Sequence, residues 1–364
     1  MLDELAARIR EHGTAGRAVR PVGGGTKLGW GGASTGEVVD IETAGMNRIA
    51  EHNVGDFTAV LDAGVRLADA QAAFAAENQM LALDPPLGEG DAATVGGVVA
   101  TADSGPLRHR YGGVRDLVVG MTVVLSDGTI AKSGGKVIKN VAGYDLAKLF
   151  AGSFGTLGLI ASVSVRLHPL PTRTATVTAA FSDPAEAAPV VKELAALPLE
   201  ADCFDVVWRD GAGEIAIRFG GAAAAEQAAA AAARIALDSE VHEDDDEGWA
   251  GVRGLQRSAD GIVLKVSGRP ADLTAVLRAA AEHGGTAVSR AALGLSWLAL
   301  PAGAGVAAVR EALAPRPVVI LDGAERAGDA WPAPPEGTLA VMARVKERFD
   351  PARIFKPGTY VGGL

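Results

Sequence analysis

The sequence is poor in cysteine and in positive charge. Cys203 is the one cysteine among 364 residues, which excludes a disulfide framework and any metal cluster held by several thiolates. Lysine and arginine number 34 against 44 acidic residues, and the formal net charge is −10. A nucleic-acid-binding protein needs a basic face, so this charge argues against a nucleic-acid partner.

Long apolar runs are missing as well. Charged or polar residues interrupt every apolar stretch before it reaches the length of a membrane span. Residues 1–5 include two acids where a signal peptide carries bases. We therefore expect a cytoplasmic protein without direct membrane insertion, whose attachment to the inner face of the membrane, if any, is made through partners. The apolar fraction of 48% is enough for a sizeable core, and the length favours about two domains.

Histidine is scarce and scattered. Its six positions show no ligand spacing, and this predicts that the chain holds no metal. The acidic run at 240–247 is interpreted as a solvated loop, with metal binding a less favoured alternative. The six histidines are His12, His52, His109, His168, His242 and His283.

Glycine, in contrast, is abundant and grouped. The chain has 47 glycines, many of them in a loop at 22–27 and a tract at 94–158. Each glycine weakens a helix or strand by roughly 0.5–1 kcal/mol, so a packed core does not need so many. Glycine lets backbone N–H groups approach a ligand closely, and pyrophosphate is the ligand that gains most from this. Two such glycine loops predict a dinucleotide held between two subdomains.

Two common nucleotide-binding motifs do not fit these glycines. No G-x-G-x-x-G lies between a strand and a helix with an acidic residue about 20 positions later, so a Rossmann site is not predicted. The segment at 23–27 also lacks the spacing and the Lys-Ser/Thr ending of a Walker A loop. The loops belong to another kind of nucleotide site.

The hydrophobic pattern predicts helices and strands along the whole chain. Helices are expected at 2–12, 67–74, 185–197, 222–235, 273–283 and 339–348. Strands are expected at 38–41, 58–61, 117–125, 159–167, 174–181, 203–207, 214–219, 262–266 and 295–300. The alanine-rich helix at 222–235 is either an exposed interface or an ordinary buried helix.

Several motifs carry a family resemblance. They are Pro-Pro at 85–86, Thr-Val-Gly-Gly at 94–97, Gly-Val-Arg-Asp at 113–116 and Lys-Asn-Val-Ala-Gly-Tyr-Asp-Leu at 139–146, with tail motifs at 349–351 and 354–358. In order and detail, the sequence resembles the FAD-binding domain of the vanillyl-alcohol oxidase / p-cresol methylhydroxylase (PCMH) type. Within that superfamily it is most similar to the FAD-binding E subunits of bacterial glycolate oxidase. The likeness spans nearly the whole chain.

The resemblance implies an α+β fold in three parts. Residues 1–170 would form a PCMH-type FAD-binding domain of two subdomains. Residues 171–338 would form an α+β cap or substrate domain, and residues 339–364 a C-terminal helix and tail that return to the FAD domain.

The resemblance also implies one FAD and the residues that hold it. The loop at 22–27 would wrap the pyrophosphate with backbone donors, and Lys27 within it is interpreted as a solvated surface lysine. Residues 94–97 would lie along the ribityl and isoalloxazine side. Tyr144 is equally a core residue or a flavin contact. The full predicted set is Val22, Gly23, Gly24, Gly25, Thr26, Lys27, Pro86, Thr94, Val95, Gly96, Gly97, Ala100, Gly105, Arg108, Tyr111, Gly152, Ser153, Gly155, Thr156 and Ile160.

Non-covalent FAD is expected. Family members with a covalent flavin often have a histidine after the first glycine triplet, where this chain has Thr26. His109 lies beyond the position that the second pattern would use.

Catalytic residues are less clearly indicated. Oxidation of a 2-hydroxy acid needs a base for the hydroxyl proton and a cation for the carboxylate. Arg108, Arg110 and Arg115 could lie near the flavin N1 or form salt bridges with Asp103 or Asp116. Lys356 stands where the family usually has asparagine, and could bind a carboxylate or point to solvent. Arg110 and Lys356 are thus the catalytic candidates.

The resemblance leaves three functional hypotheses. In the first, the chain is an FAD-dependent oxidoreductase acting on the CH–OH group of glycolate or a similar 2-hydroxy acid. In the second, it is a non-catalytic FAD-carrying accessory subunit, whose partners are a larger homologous flavoprotein that does the chemistry and an iron–sulfur subunit. A stand-alone FAD-dependent alcohol or sugar oxidase is the third and least favoured hypothesis.

Overall fold

The computed structural model describes residues 1–135, 146–323 and 330–364, which form two compact units. The first unit comprises Met1–Ser104, Gly112–Leu170 and Ala333–Leu364. The second comprises Gly105–Tyr111 and Pro171–Pro332. Tyr144 and most of the motif at 139–146 lie outside the described residues.

The first unit is built on a five-stranded antiparallel sheet. Its strand order is Ile49–Asn53, Thr58–Asp62, Leu159–Arg166, Val118–Val124 and Ile130–Gly134. The central strand alternates in polarity, and Val163, paired with Leu61 and Met121, is fully buried. A parallel pair, Ala18–Val22 with Val38–Glu42, and an antiparallel pair, Gln79–Met80 with His168–Pro169, complete the strands of this unit among the described residues.

The first unit also contains helices. Their bounds are Leu2–Thr14, Leu67–Ala75, Val95–Thr101, Val114–Leu117, Ala147–Phe150 and Thr338–Phe349. The first helix has the apolar spacing that its sequence predicts, and buries Leu5, Ala6 and Ile9.

The second unit is an eight-stranded antiparallel sheet. Its strand order is Ser239–Glu243, Thr174–Phe181, Ala212–Gly220, Ala201–Arg209, Thr286–Arg290, Leu295–Leu300, Ile262–Ser267 and Val318–Asp322. The helices of this unit are Arg108–Tyr111, Pro184–Ala195, Ala224–Ala232, Asp246–Gly254, Leu273–Glu282 and Val306–Leu313. The alanine-rich helix turns Ala224, Ala228 and Ala231 into the core, so at least one of its faces is an ordinary packing surface.

Two local expectations are corrected by the structure. Residues 94–97 are not a loop, because Thr94 is the N-cap of the helix Val95–Thr101. The acidic run is not a loop either: Ser239–Glu243 is an edge strand, and a helix begins at Asp246. Charged side chains suit an edge strand because they discourage pairing with another chain.

Across the ranges that the structure describes, no helix is long and apolar enough to cross a membrane.

Candidate cofactor-binding site

The first unit contains a cleft between its glycine-rich segments. The space amounts to about 680 Å³, part of it open to solvent. Its lining combines the end of the strand Ala18–Val22, the loop that follows it, one side of the helix Val95–Thr101, the segment around Gly155 and the C-terminal tail. The lining residues are Pro21, Val22, Gly23, Gly24, Gly25, Thr26, Lys27, Leu28, Thr43, Ala63, Thr94, Gly96, Gly97, Ala100, Thr101, Phe154, Gly155, Gly158, Ile160 and Lys356.

The first loop presents a row of backbone donors. The N–H groups of Gly23, Gly24, Gly25 and Thr26 donate no hydrogen bond to any acceptor in the described part of the chain. A run of N–H groups without internal acceptors is a favourable environment for an anion such as a diphosphate. The loop therefore fits the phosphate portion of a dinucleotide without requiring a cationic side chain.

Close packing explains why glycine occupies this loop. A Cβ on Gly23 would overlap the Thr94 side chain, and one on Gly24 would overlap the carbonyl oxygen of Ala92. Gly25 has φ of +74°, a conformation that favours glycine. These positions bring the backbone itself to the cleft surface.

The helix Val95–Thr101 is fixed against the sheet by its first turn. Thr94 Oγ1 accepts a hydrogen bond from the Gly97 N–H at 3.3 Å, and the Gly96 N–H donates to the carbonyl oxygen of Ala63 at 2.8 Å. A Cβ on Gly96 would lie 2.7 Å from that of Ala63. Gly96 thus permits close helix–strand packing, a requirement separate from any contact with a ring system.

Lys27 is not the solvated lysine that was expected. Its side chain is 6% exposed, and its Nζ lies 3.5 Å from Oδ2 of Asp103, itself 1% exposed. The ammonium also donates to Thr26 Oγ1 at 3.3 Å and lies 5.8 Å from the centre of the Trp30 ring. The expectation is wrong because the pair with Asp103 offsets the cost of burying the charge.

Four of the predicted residues belong to the second unit: Gly105, Arg108, Arg110 and Tyr111. Arg110 donates to the Glu200 carbonyl oxygen at 2.8 Å and to its Oε2 at 3.1 Å, and its Nε lies 3.4 Å from Oδ1 of Asp202. The expectation that Arg110 forms a salt bridge with Asp103 or Asp116 is therefore wrong. The Tyr111 hydroxyl donates to Asp202 at 3.4 Å, and burial raises the pKa of Tyr111 to about 12.

Other predicted residues do not line the cleft. Thr156 is buried and donates from Oγ1 to the Ser153 carbonyl oxygen at 2.7 Å. Val95 is a buried residue of the helix Val95–Thr101, and Pro86 is half-buried. The predicted positions outside the lining are Pro86, Val95, Gly105, Arg108, Arg110, Tyr111, Gly152, Ser153 and Thr156.

A buried ion pair that no sequence pattern predicts fastens the C-terminal tail beside the cleft. Lys346 Nζ donates to Asp350 Oδ2 at 2.7 Å, to the Thr156 carbonyl oxygen at 2.7 Å and to the Phe355 carbonyl oxygen at 2.8 Å. Asp350 accepts from the N–H groups of Ile354 and Phe355 at 3.1 and 2.9 Å. The side chains of Lys346 and Asp350 are 4% and 0% exposed.

No metal centre is seen in the part of the chain that the structure describes. There, no three histidine, cysteine, aspartate or glutamate side chains converge as metal ligands.

Comparison with known families identifies the N-terminal region. Residues 2–134 match the family described as FAD binding domain. That match covers less than half of the chain and shows that its N-terminal region is similar to FAD-binding domains. The predicted cofactor, FAD, is confirmed, and the amide row of the first loop fits the diphosphate of that cofactor.

Curated relatives confirm the resemblance to glycolate oxidase subunits. The chain is 37% identical over 177 residues to glycolate oxidase subunit GlcD of Bacillus subtilis (strain 168), covering 48% of this chain and 37% of the relative. It is 36% identical over 149 residues to subunit GlcE of Escherichia coli (strain K12), covering 41% and 42%. A D-lactate dehydrogenase of Anaerostipes hadrus is 40% identical over 169 residues, covering 46% and 35%. The matches thus span less than half of the length of these relatives.

Solved structures confirm the fold. The structure of an alkyldihydroxyacetonephosphate synthase aligns with 97% of this chain and 75% of its own, with a TM-score of 0.70 and 15% sequence identity. At that identity the likeness establishes the fold alone, and the predicted α+β fold with a PCMH-type FAD-binding domain is confirmed.

Proposed function

We propose that this chain is the FAD-binding subunit of a glycolate oxidase-type complex that oxidises a small 2-hydroxy acid to the 2-oxo acid. The observation that carries the proposal is the cleft in the FAD-binding region, with its row of four backbone donors. FAD, when bound, supplies the acceptor for the hydride that leaves C2 of the substrate, while the hydroxyl proton passes to a base. Both the hydride and the proton are then accounted for.

Within the cleft, each segment has a proposed role. The N–H groups from Gly23 to Thr26 hold the diphosphate, and Ile160 offers its backbone to the adenine. The helix start at 94–97 lies along the ribityl and isoalloxazine portion, with Gly97 and Ala100 on the lining. Thr26 leaves no histidine to form a covalent flavin bond after the glycine triplet, so FAD is held non-covalently.

The substrate class is supported by what the relatives share. Glycolate and D-lactate, the substrates in their names, are both short 2-hydroxy acids with a carboxylate next to the reacting carbon. The subunit names also support an assembly with other chains, for which we propose a larger homologous flavoprotein and an iron–sulfur subunit.

The proposal is tested by anaerobic reduction of the purified chain. The chain is saturated with FAD, freed of oxygen and mixed with glycolate, D-lactate or L-lactate while the visible flavin absorption is recorded. Bleaching by at least one 2-hydroxy acid, and none by acetate, is the expected result. Bound FAD that stays oxidised with every acid contradicts turnover by this chain alone.

The accessory-subunit hypothesis remains as a second candidate because of one observation. Arg110, a predicted catalytic cation, forms hydrogen bonds with Glu200 and an ion pair with Asp202 in the second unit. If FAD stays oxidised until a larger flavoprotein partner is added, the chemistry belongs to that partner. Rapid reoxidation of the isolated chain by oxygen after reduction with an alcohol or sugar would instead favour a stand-alone oxidase.

A further inference from the structure

Lys356 is held at the cleft by the tail that precedes it. The Lys356 N–H donates to the Val19 carbonyl oxygen at 2.9 Å, and the Val19 N–H donates to the Ile354 carbonyl oxygen at 2.7 Å. The pair of Lys346 and Asp350 fixes the same segment from the other side, through the carbonyl oxygens of Thr156 and Phe355. The tail is therefore tied both to the strand before the first glycine loop and to the segment around Gly155.

The conformation and burial of Lys356 are unusual for a lysine. Its φ is +43°, in the left-handed region that non-glycine residues rarely adopt, and the residue is 7% exposed. A backbone held in that region is energetically unfavourable and persists where surrounding contacts determine it. Here those contacts direct a cationic side chain along the wall of the cleft.

The side chain of Lys356 and the ring of Pro21 lie at similar distances from Gly155. A Cβ placed on Gly155 would lie 3.8 Å from Cδ of Lys356 and 3.8 Å from Cδ of Pro21. Pro21 directly precedes Val22 and the donors of the first loop. The ammonium extends two bonds beyond Cδ, and both Lys356 and the first loop line the cleft. Lys27 is the other lysine on the lining.

We propose that Lys356 binds the diphosphate of FAD and makes the site prefer this dinucleotide over flavins that lack a diphosphate. The inference rests on the proposed use of the cleft for FAD. Asparagine, usual at this position in the family that the sequence resembles, carries no charge. This chain would therefore add an ionic contact to a loop that otherwise relies on N–H groups.

The test measures dissociation constants of three ligands, FAD, riboflavin and ADP, for the wild-type chain and variants. The variants are Lys356→Met, Lys356→Asn and the control Lys132→Met, which removes an exposed lysine of the same unit that is not on the cleft lining. Calorimetric titration at two salt concentrations serves all three ligands. Thermal unfolding of each apoprotein shows whether it is folded.

Loss of a charge-assisted contact predicts a selective result. Both Lys356 variants should bind FAD and ADP about 10- to 100-fold more weakly, with a smaller salt dependence, and Lys132→Met should match the wild type. Riboflavin affinity should stay within about twofold of the wild-type value. Unchanged ADP affinity would overturn the proposal, and so would equal losses for FAD and riboflavin, which would indicate a structural role for the tail.

The outcome is separable from that of the proposed function. A wild-type chain that binds FAD but is not reduced by any 2-hydroxy acid would contradict catalysis and leave the Lys356 test intact. If the Lys356 variants keep FAD affinity but require more glycolate for half-maximal reduction, the lysine binds the substrate carboxylate and the diphosphate proposal is wrong.

Discussion

Each glycine of the first loop is required for a different structural reason. Gly24 gives the clearest test of whether this loop holds the cofactor. A Cβ at Gly24 would overlap the backbone oxygen of Ala92, which cannot move aside as a flexible side chain can. Gly24→Ala should therefore displace the loop and weaken FAD binding by at least about tenfold, since several backbone donors would lose their alignment. Titration with FAD measures the change.

The matched control is Gly55→Ala in the same unit. A Cβ there would meet no atom within 4 Å, and Gly55 lies outside the left-handed region. This variant should bind FAD as the wild type does. Equal affinity of Gly24→Ala and Gly55→Ala would show that the first loop does not hold the cofactor.

Asp272 makes the stability of the second unit depend on pH. Its carboxylate accepts from Arg316 Nη2 at 2.8 Å and from the Arg269 N–H at 2.8 Å, and these bonds lower the pKa of Asp272 from 3.8 to about 2. A lowered folded-state pKa stabilises the protein above the unfolded value, and this contribution is lost as pH falls through about 2. Asp272→Asn should thus reduce the free energy of unfolding near neutral pH, by an amount that shrinks as the pH falls below about 4.

Urea unfolding of the wild type and of Asp272→Asn across that pH range measures the difference. A difference that is constant with pH would mean that the carboxylate charge contributes nothing. The exposed Asp210, half of a surface pair with Arg209 at 3.7 Å, serves as the control, and Asp210→Asn should change stability little.

At the level of the elements, the ion pair of Lys346 and Asp350 joins the C-terminal helix to the tail and to the second glycine segment. Removing one partner of a buried pair leaves an uncompensated charge and costs about 3–5 kcal/mol. Lys346→Met should therefore destabilise the first unit by about that amount and weaken FAD binding, because the tail lines the cleft. Urea unfolding and FAD titration measure both effects.

The double variant Lys346→Met with Asp350→Asn separates charge from packing. Asparagine removes the buried charge and keeps one carbonyl oxygen, which can accept from the N–H of Ile354 or of Phe355, so part of the stability should return. A double variant less stable than Lys346→Met would contradict the buried-charge explanation.

How far the sequence predicts an element depends on how local its cause is. The strand Leu159–Arg166 alternates in polarity and was predicted almost to the residue, because this alternation is a property of the local sequence. The helix Val95–Thr101 was missed, because Gly96 and Gly97 are poor helix formers. Its cause is tertiary: Gly96 packs on Ala63, and Thr94 caps the first turn.

The same distinction applies to the candidate site. Glycine spacing predicted the first loop, because its backbone conformation requires those residues. Lys346 and Asp350, four residues apart on a helix end, have the spacing of an ordinary surface pair. Their burial depends on Thr156, 190 residues away in sequence, which no local pattern reports.

At the level of the whole molecule, the path of the chain between the two units is the least predictable feature. After residue 170 the sequence changes to alternating strand and helix patterns that are rich in alanine. Nothing local signals that Gly105–Tyr111 groups with the second unit. A return of residues 339–364 to the FAD domain is implied by the family resemblance alone, and Ala333–Leu364 groups with the first unit. Arg110 explains the first case, since its partners Glu200 and Asp202 follow about ninety residues later.

All lining residues of the cleft belong to the first unit, so FAD should stabilise that unit selectively. A ligand whose free concentration is 100 times its dissociation constant stabilises the folded state that binds it by about 2.7 kcal/mol. Hydrogen exchange with and without FAD should therefore show slower exchange in Thr58–Asp62 and Leu159–Arg166 of the first unit. Strands Ala212–Gly220 and Leu295–Leu300 of the second unit provide the comparison, and their exchange should change little. Equal protection of both sheets by FAD would show that the two units open as a single cooperative body, and protection of the second sheet alone would place the cofactor outside the cleft.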